Sequence, residues 1–236
     1  MNTISLIGKK YNDTLLYTES NIIGDTNQCS KKLKRLGGMY NFNDANIDSV
    51  KLNFYPVGEK SAFIVVDNQT STRTSYVIDE KDALLTKQTI DQINNNSVWA
   101  HMCYVDDFET HQELLKIDVP YSIDFCTLKK RETYLPIMKK AKIIFDSRER
   151  KNEYNLFTLD TPIILHDQNG VEVIKNHIII SSFSLTPMKN LNVNGAGDIY
   201  AAHFIKNYFD ISLNKSCYRA MIETTKTLIE RNNEEI

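Results

Sequence analysis

The feature that most constrains this chain is the alternation of short apolar runs with polar, helix-like segments from about residue 97 onward. Ser97 to Tyr104 reads as a strand, 107–116 as a helix, Val119 to Phe125 as a strand, 130–141 as a helix, and Lys142-Ile143-Ile144-Phe145 as a strand. Successive parallel strands need a crossover between them, so this order specifies βαβ units and a mainly parallel sheet. Pro162 to Leu165 and Val171 to Ile174 supply further strands, and helices over about 196–208 and 213–231 close the chain. The region before residue 97 is richer in strands. Thr3 to Gly8 reads as a buried strand ending in a turn glycine, and 14–18 as a second strand. Gly24-Asp25-Thr26 predicts a turn and N-cap leading into a helix over 27–36, stopped by Leu36-Gly37-Gly38. Residues 61–78 read as a hairpin and 79–96 as a helix. A hairpin does not fit a parallel sheet. It predicts a small β subdomain over the C-terminal edge of the strands, where open α/β sheets bind ligands.

Length and charge narrow the function. The 236 residues suffice for one α/β domain with its own core. With 28 Lys+Arg against 30 Asp+Glu the formal net charge is -2, which lacks the basic excess that nucleic-acid binding requires. The longest apolar runs, such as Ile178-Ile179-Ile180, are too short to span a bilayer, and the first residues carry no secretory pattern; the expectation is a cytoplasmic protein. Cysteines 29, 103, 126 and 217 are too widely spaced for a zinc knuckle or redox pair. The five histidines include no H-x-x-x-H or H-E-x-x-H. These residue types read as packing and surface groups.

The stretch that carries chemistry is Leu191-Asn192-Val193-Asn194-Gly195-Ala196-Gly197-Asp198, followed by a helix. Two glycines and an alanine at a helix start let backbone N–H groups approach an anion, and the helix end adds partial positive charge. Asp198 falls in the first helical turn, suited to taking a proton from a hydroxyl beside a bound phosphate. No G-x-x-x-x-G-K-[ST] and no G-x-G-x-x-G occurs, which excludes the P-loop and dinucleotide fingerprints.

With these residues in view, the sequence resembles the ribokinase-like (PfkB-type) carbohydrate kinases, whose late signature is D-T-x-G-A-G-D followed by a helix rich in small residues and Phe. Gly195-Ala196-Gly197-Asp198 matches the signature, and Ala201-Ala202-His203-Phe204 fits the helix. Gly8 and Asp13 match an opening G-x-x-x-x-D, and Gly24 with Gln28 resembles G-G-x-x-x-N before a helix. Arg73-Thr74-Ser75 resembles the end of a lid segment, Ser122 to Phe125 the strand carrying D-x-N, and Asp146 to Glu149 the N-x-x-E motif. Departures are Asn192 and Val193 for Asp and Thr, Asp146 for Asn, Ile23 for Gly, Gln28 for Asn, and Cys126 for Asn; Leu165 to Gly170 lacks the first glycine of T-x-G-x-x-G.

The resemblance implies a three-layer αβα fold over residues 1–236, with a shortened β lid from about 14–23 and 61–78. It implies a phosphotransferase moving the γ-phosphate of ATP, with Mg²⁺, to a hydroxyl of a sugar-like small molecule. Asp198 would be the general base and Gly195, Ala196 and Gly197 the anion hole. Asp13, Gly24 and Gln28 would hold the acceptor. Asn169, Gly170 and Asn194 would hold the nucleotide, and Glu149 and Asp146 the metal. The expected partner is the small substrate, without nucleic acid or membrane, in a monomer or a homodimer. Lys9 and Lys10, between Gly8 and Asp13, are compatible with an acidic acceptor or with a plain surface loop. The motif departures leave open a second class, a non-catalytic module that binds a sugar or nucleotide. A third is a nucleotide-independent α/β enzyme that happens to contain G-A-G-D.

Overall fold

The structure is a computed structural model that describes residues 1–19, 27–67, 73–107, 111–126, 131–156, 158–188 and 191–235. Ten strands are described: β1 (Asn2–Thr18), β2 (Cys29–Gly38), β3 (Val50–Asp67), β4 (Arg73–Asp82), β5 (Trp99–Met102), β6 (Tyr121–Asp124), β7 (Ile143–Ser147), β8 (Ile163–Asp167), β9 (Gly170–Lys175) and β10 (Ile178–Ser184). The α-helices are α1 (Lys87–Asn96), α2 (Leu135–Lys140), α3 (Ala196–Tyr208) and α4 (Leu213–Glu235). The strands form one sheet in the order β10-β9-β8-β7-β6-β5-β1-β3-β4, with β2 also pairing β1. β3, β1, β5, β6, β7 and β8 run parallel to their neighbours in that order, while β9 and β10 close one edge antiparallel.

The period-2 alternation of these strands puts apolar side chains on both faces. Ile143, Phe145 and Ile164 face α3, α4 and the 3₁₀ segment Met39–Ala45, where Ile199, Phe204 and Phe42 pack. Ile144, Ile163 and Leu165 face the other way, against Ile90 and Ile93 of α1 and Ile137 and Met138 of α2. The three-layer αβα arrangement follows from burying both faces.

The long β1 connects sheet and lid. Over Asn2–Gly8 it lies between β3 and β5; a register shift between Gly8 and Lys10 follows, and from Lys10 on it lies between β3 and β2. The outer parts of β1 and β3, with β2 and β4, make a four-stranded lid with its own small apolar cluster of Leu15, Ala62 and Ile64.

Several expectations are corrected here. Residues 29–38 form a strand instead of a helix, so the lid is larger than the segments 14–23 and 61–78; residues 20–26 and 68–72 lie outside the described residues. Lysine-rich sequence with leucines at 33 and 36 has local helix preference, but the ladder from Lys10↔Gly38 to Thr18↔Cys29 satisfies the backbone of both chains. Residues 79–82 continue β4, and the helix begins only at Lys87, capped by Thr86, whose side chain accepts from the Thr89 amide at 3.1 Å. The crossovers at 107–116 and 130–141 are mostly 3₁₀ turns, with only Leu135–Lys140 α-helical. Strands β10 and the first half of β3 were not anticipated.

Candidate active site

A cleft of about 1020 Å³ lies between the lid and the C-terminal ends of the central strands. Its walls come from the inner face of the lid (Tyr11, Asp13, Ala62, Arg73), the strand ends (Asp124, Ser147, His166) and the Gly195 turn with Asp198. Among the described residues no helix is long and apolar enough to cross a membrane, and no group of three His, Cys, Asp or Glu could hold a metal ion.

Asp198 sits in the first turn of α3 with 1% of its surface exposed. Its Oδ2 accepts from Asn41 Nδ2 at 2.8 Å and from the Tyr104 hydroxyl at 2.5 Å. Its Oδ1 is buried and has no hydrogen-bond partner among the described residues. Burial pushes the carboxyl up to about 6, against the lowering pull of the Tyr104 and Asn41 hydrogen bonds and of Arg73. The turn before it is set by Gly195 at φ 76, the left-handed region, which lets the chain reverse into α3. Of the three amides at 195–197, that of Ala196 is spent on the Val193 carbonyl at 3.1 Å. The first-turn amides of an α-helix, here those of Gly197 and Asp198, have no acceptor within the helix.

Asp13 projects from the lid portion of β1 with 5% exposure. Its Oδ2 accepts from Asn194 Nδ2 at 3.1 Å and its Oδ1 is buried without a partner. Burial raises its carboxyl, while Asn194, Arg35 and Arg73 pull it down. The carboxylate fits only because residue 37 is glycine: a Cβ there would lie 2.1 Å from Asp13 Oδ2. Asn194 also accepts from Arg73 Nη1 at 2.7 Å, and Asn192 Nδ2 donates to the Tyr17 hydroxyl at 2.9 Å. The lid is thus tied to the 192–194 segment from both sides.

The other expected residues are distributed unevenly. Asn169, Gly170 and Glu149 line the cleft near His166, whose imidazole burial lowers to about 4. Asn194 lines it too, but on the Asp13 side. Asp146 is fully buried and engaged: Arg131 Nε and Nη2 donate at 3.1 and 2.9 Å, the Tyr154 hydroxyl at 2.5 Å and the Ser147 amide at 2.8 Å, with Arg150 Nε on Oδ1. Those donors leave it no open position for a cation. Gln28 is exposed beside the far end of β2 and is not part of the cleft wall; Gly24 lies outside the described residues. Gly37-Gly38 ends β2, and three residues on Asn41 donates to Asp198. Asn41, Tyr104 and Arg73 were not foreseen as site residues. Only the G-G sequence before Asn41 could have suggested one of them.

The three layers, with a β lid over the C-terminal ends of the central strands, make a ribokinase-like αβα fold. No protein-family model matches the sequence, and no curated protein matches it. Solved structures do. A nucleoside kinase from Methanocaldococcus jannaschii, described as an archaeal member of the ribokinase family, superposes with TM-score 0.66 at 15% identity, covering 99% of this chain and 99% of that one. A ribokinase from Cryptococcus neoformans var. grubii serotype A in complex with ADP gives TM-score 0.69 at 10% identity, covering 100% of both. A nucleoside kinase from Burkholderia thailandensis in complex with inosine gives 0.67 at 13%, covering 93% of this chain and 88% of that one. At such identities the likeness establishes the fold.

Proposed function

We propose that this protein transfers the γ-phosphate of MgATP to a hydroxyl of a sugar or nucleoside-like small molecule, with Asp198 as general base. The observation that carries the reading is Asp198 Oδ1, a buried oxygen without a partner, at the head of α3 and on the wall of a substrate-sized cleft. A buried acceptor left unsatisfied is costly; a substrate hydroxyl would satisfy it. Asp13 Oδ1, a second such oxygen on the lid side, suits a second hydroxyl of the same acceptor. With its carboxyl near 6, Asp198 is ionised at neutral pH yet basic enough to take a proton as the alcohol attacks. The backbone amides of Gly197 and Asp198 at the start of α3 would stabilise negative charge on the transferred group, with the Ala196 amide supporting the turn instead.

The nucleotide would lie along Asn169 and Gly170, its base against apolar lining residues such as Met188, Met221 and Leu228. The ADP and inosine complexes of the structural neighbours support an adenine nucleotide and a nucleoside-sized acceptor. For Mg²⁺ the residues fit in part. Glu149 offers an exposed carboxylate in the cleft, whereas Asp146 is consumed by its guanidinium partners. The phosphates and water would supply most of the ion's ligands. Calorimetric titration with MgATP, beside an ATP-consumption screen over sugars and nucleosides, tests the proposal. A phosphorylated product from at least one acceptor is expected. Binding of MgATP without turnover across the panel would overturn the enzyme reading in favour of a binding module.

A further inference from the structure

Tyr104 has no place in the resemblance and no motif marks it, yet it makes one of the two bonds that hold Asp198. It lies two residues past the end of β5, after Cys103, whose amide donates to the Ile7 carbonyl at 2.8 Å. There the backbone turns to φ 57, a left-handed conformation that a bulky side chain adopts rarely and at a cost. The turn directs the phenol at the head of α3. Its ring also meets Tyr11 of the lid edge-on, with centroids 6.0 Å apart. Packing alone would be served by a phenylalanine. The hydroxyl is what needs a reason, and its acceptor is Asp198 Oδ2.

We propose that Tyr104 is a positioning residue of this site: with Asn41 Nδ2 it occupies Asp198 Oδ2, so that Oδ1 is the one oxygen presented to the acceptor hydroxyl. This rests on the reading of Asp198 as the base. Burial, and then the carboxylates of Asp198 and Asp124, push the phenol of Tyr104 well above its ordinary range, so it remains a donor throughout the working pH. The bond therefore favours the ionised form of Asp198 and offsets part of the burial that opposes it. The other charged or titratable groups facing Asp198 are Asp13 and Arg73 from the lid, Asp124 at the end of β6, and Cys103 beside Tyr104. None of these donates to Oδ2 in the structure.

The experiment is a carbon-13 NMR titration of the Asp198 carboxyl in the wild-type chain and in Tyr104→Phe, with the resonance assigned by its loss in Asp198→Asn. The phenylalanine keeps the ring and removes only the donor. The Asp198 midpoint is expected to rise by roughly one to two pH units, the worth of one hydrogen bond to a charged oxygen. An unchanged midpoint in folded Tyr104→Phe overturns the proposal. If that variant does not fold, 3-fluorotyrosine at position 104, a stronger donor of nearly the same shape, is expected to lower the midpoint; no movement overturns the proposal equally. The titration needs no turnover. If the kinase reading holds, the acid limb of kcat moves with the midpoint. A moved midpoint with no phosphoryl transfer by any form of the chain supports the bond and removes the kinase reading instead.

Discussion

Asp146 and Asp198 are both buried, Asp198 on the cleft wall and Asp146 one residue before the cleft-lining Ser147, and they are surrounded in opposite ways. Asp146, at the end of β7, is gripped by two guanidinium groups, a phenol and a backbone amide, and both oxygens are used. Asp198 has two neutral donors on one oxygen and none on the other. Charged partners tie up both oxygens of the first carboxylate within the fold. Neutral partners and burial leave the second with a carboxyl near 6 and an oxygen unspent. Burial alone therefore does not mark a working acid. What sets Asp198 apart is an unspent oxygen and no bonded cation among the described residues.

The largest effect should come from Asp198→Asn, which keeps an acceptor for Tyr104 and Asn41 but cannot take a proton. Its kcat should fall by ~10²–10⁴, the usual worth of a general base, with MgATP affinity retained. Wild-type turnover in this variant would put the two aspartates on the same footing. Next in size, Asp146→Asn should remove the Asp146 anion from Arg150 and from Arg131, which keeps Asp106 at 3.7 Å, and lower unfolding stability by about 3–5 kcal/mol in urea, as breaking a buried ion pair does. A loss confined to activity, with stability intact, would assign Asp146 to the site after all.

The third expectation separates the two residues by sign. Asp198 titrates near 6 in the fold and near 4 in an unfolded chain, so the native state holds the proton more tightly. Its ionisation costs nothing below about pH 4. The cost then grows as pH rises to about 6 and is complete above it, on the order of 2–3 kcal/mol. Asp198→Asn should therefore be more stable than the wild type at pH 8 and gain nothing below pH 4. Denaturant midpoints across that range check the sign, and a variant destabilised at pH 8 would break the contrast. The smallest effect is expected from Gly37→Ala, whose Cβ would displace the Asp13 carboxylate from 2.1 Å away. Acceptor KM should rise by roughly tenfold, about 1.4 kcal/mol, with kcat for bound acceptor little changed. An unaltered KM would remove Asp13 from the acceptor site.

The central sheet was legible because its strands must bury both faces, which leaves dense apolar runs such as Ile143-Ile144-Phe145 spaced by crossovers. The turn at Gly195 and the acid at 198 were legible because a helix entry of small residues has a specific composition. β2 reads as a helix because its lysines and leucines favour one locally; only the antiparallel ladder with β1 makes them a strand. Gln28 was lost from the site by the same error, since a strand carries it to the far end of the lid. Asn41 and Tyr104 are ordinary residues in short connections, and nothing in their neighbours announces that both point at one carboxylate.

What the sequence alone determined is the mainly parallel sheet with its crossovers and the small-residue turn into one helix, because periodicity and local composition act over a few residues. Which carboxylate is free to work was decided only by tertiary structure. Hydrogen-bond saturation depends on groups 94 and 157 positions away from Asp198, and on which side of the sheet each strand end delivers its partner.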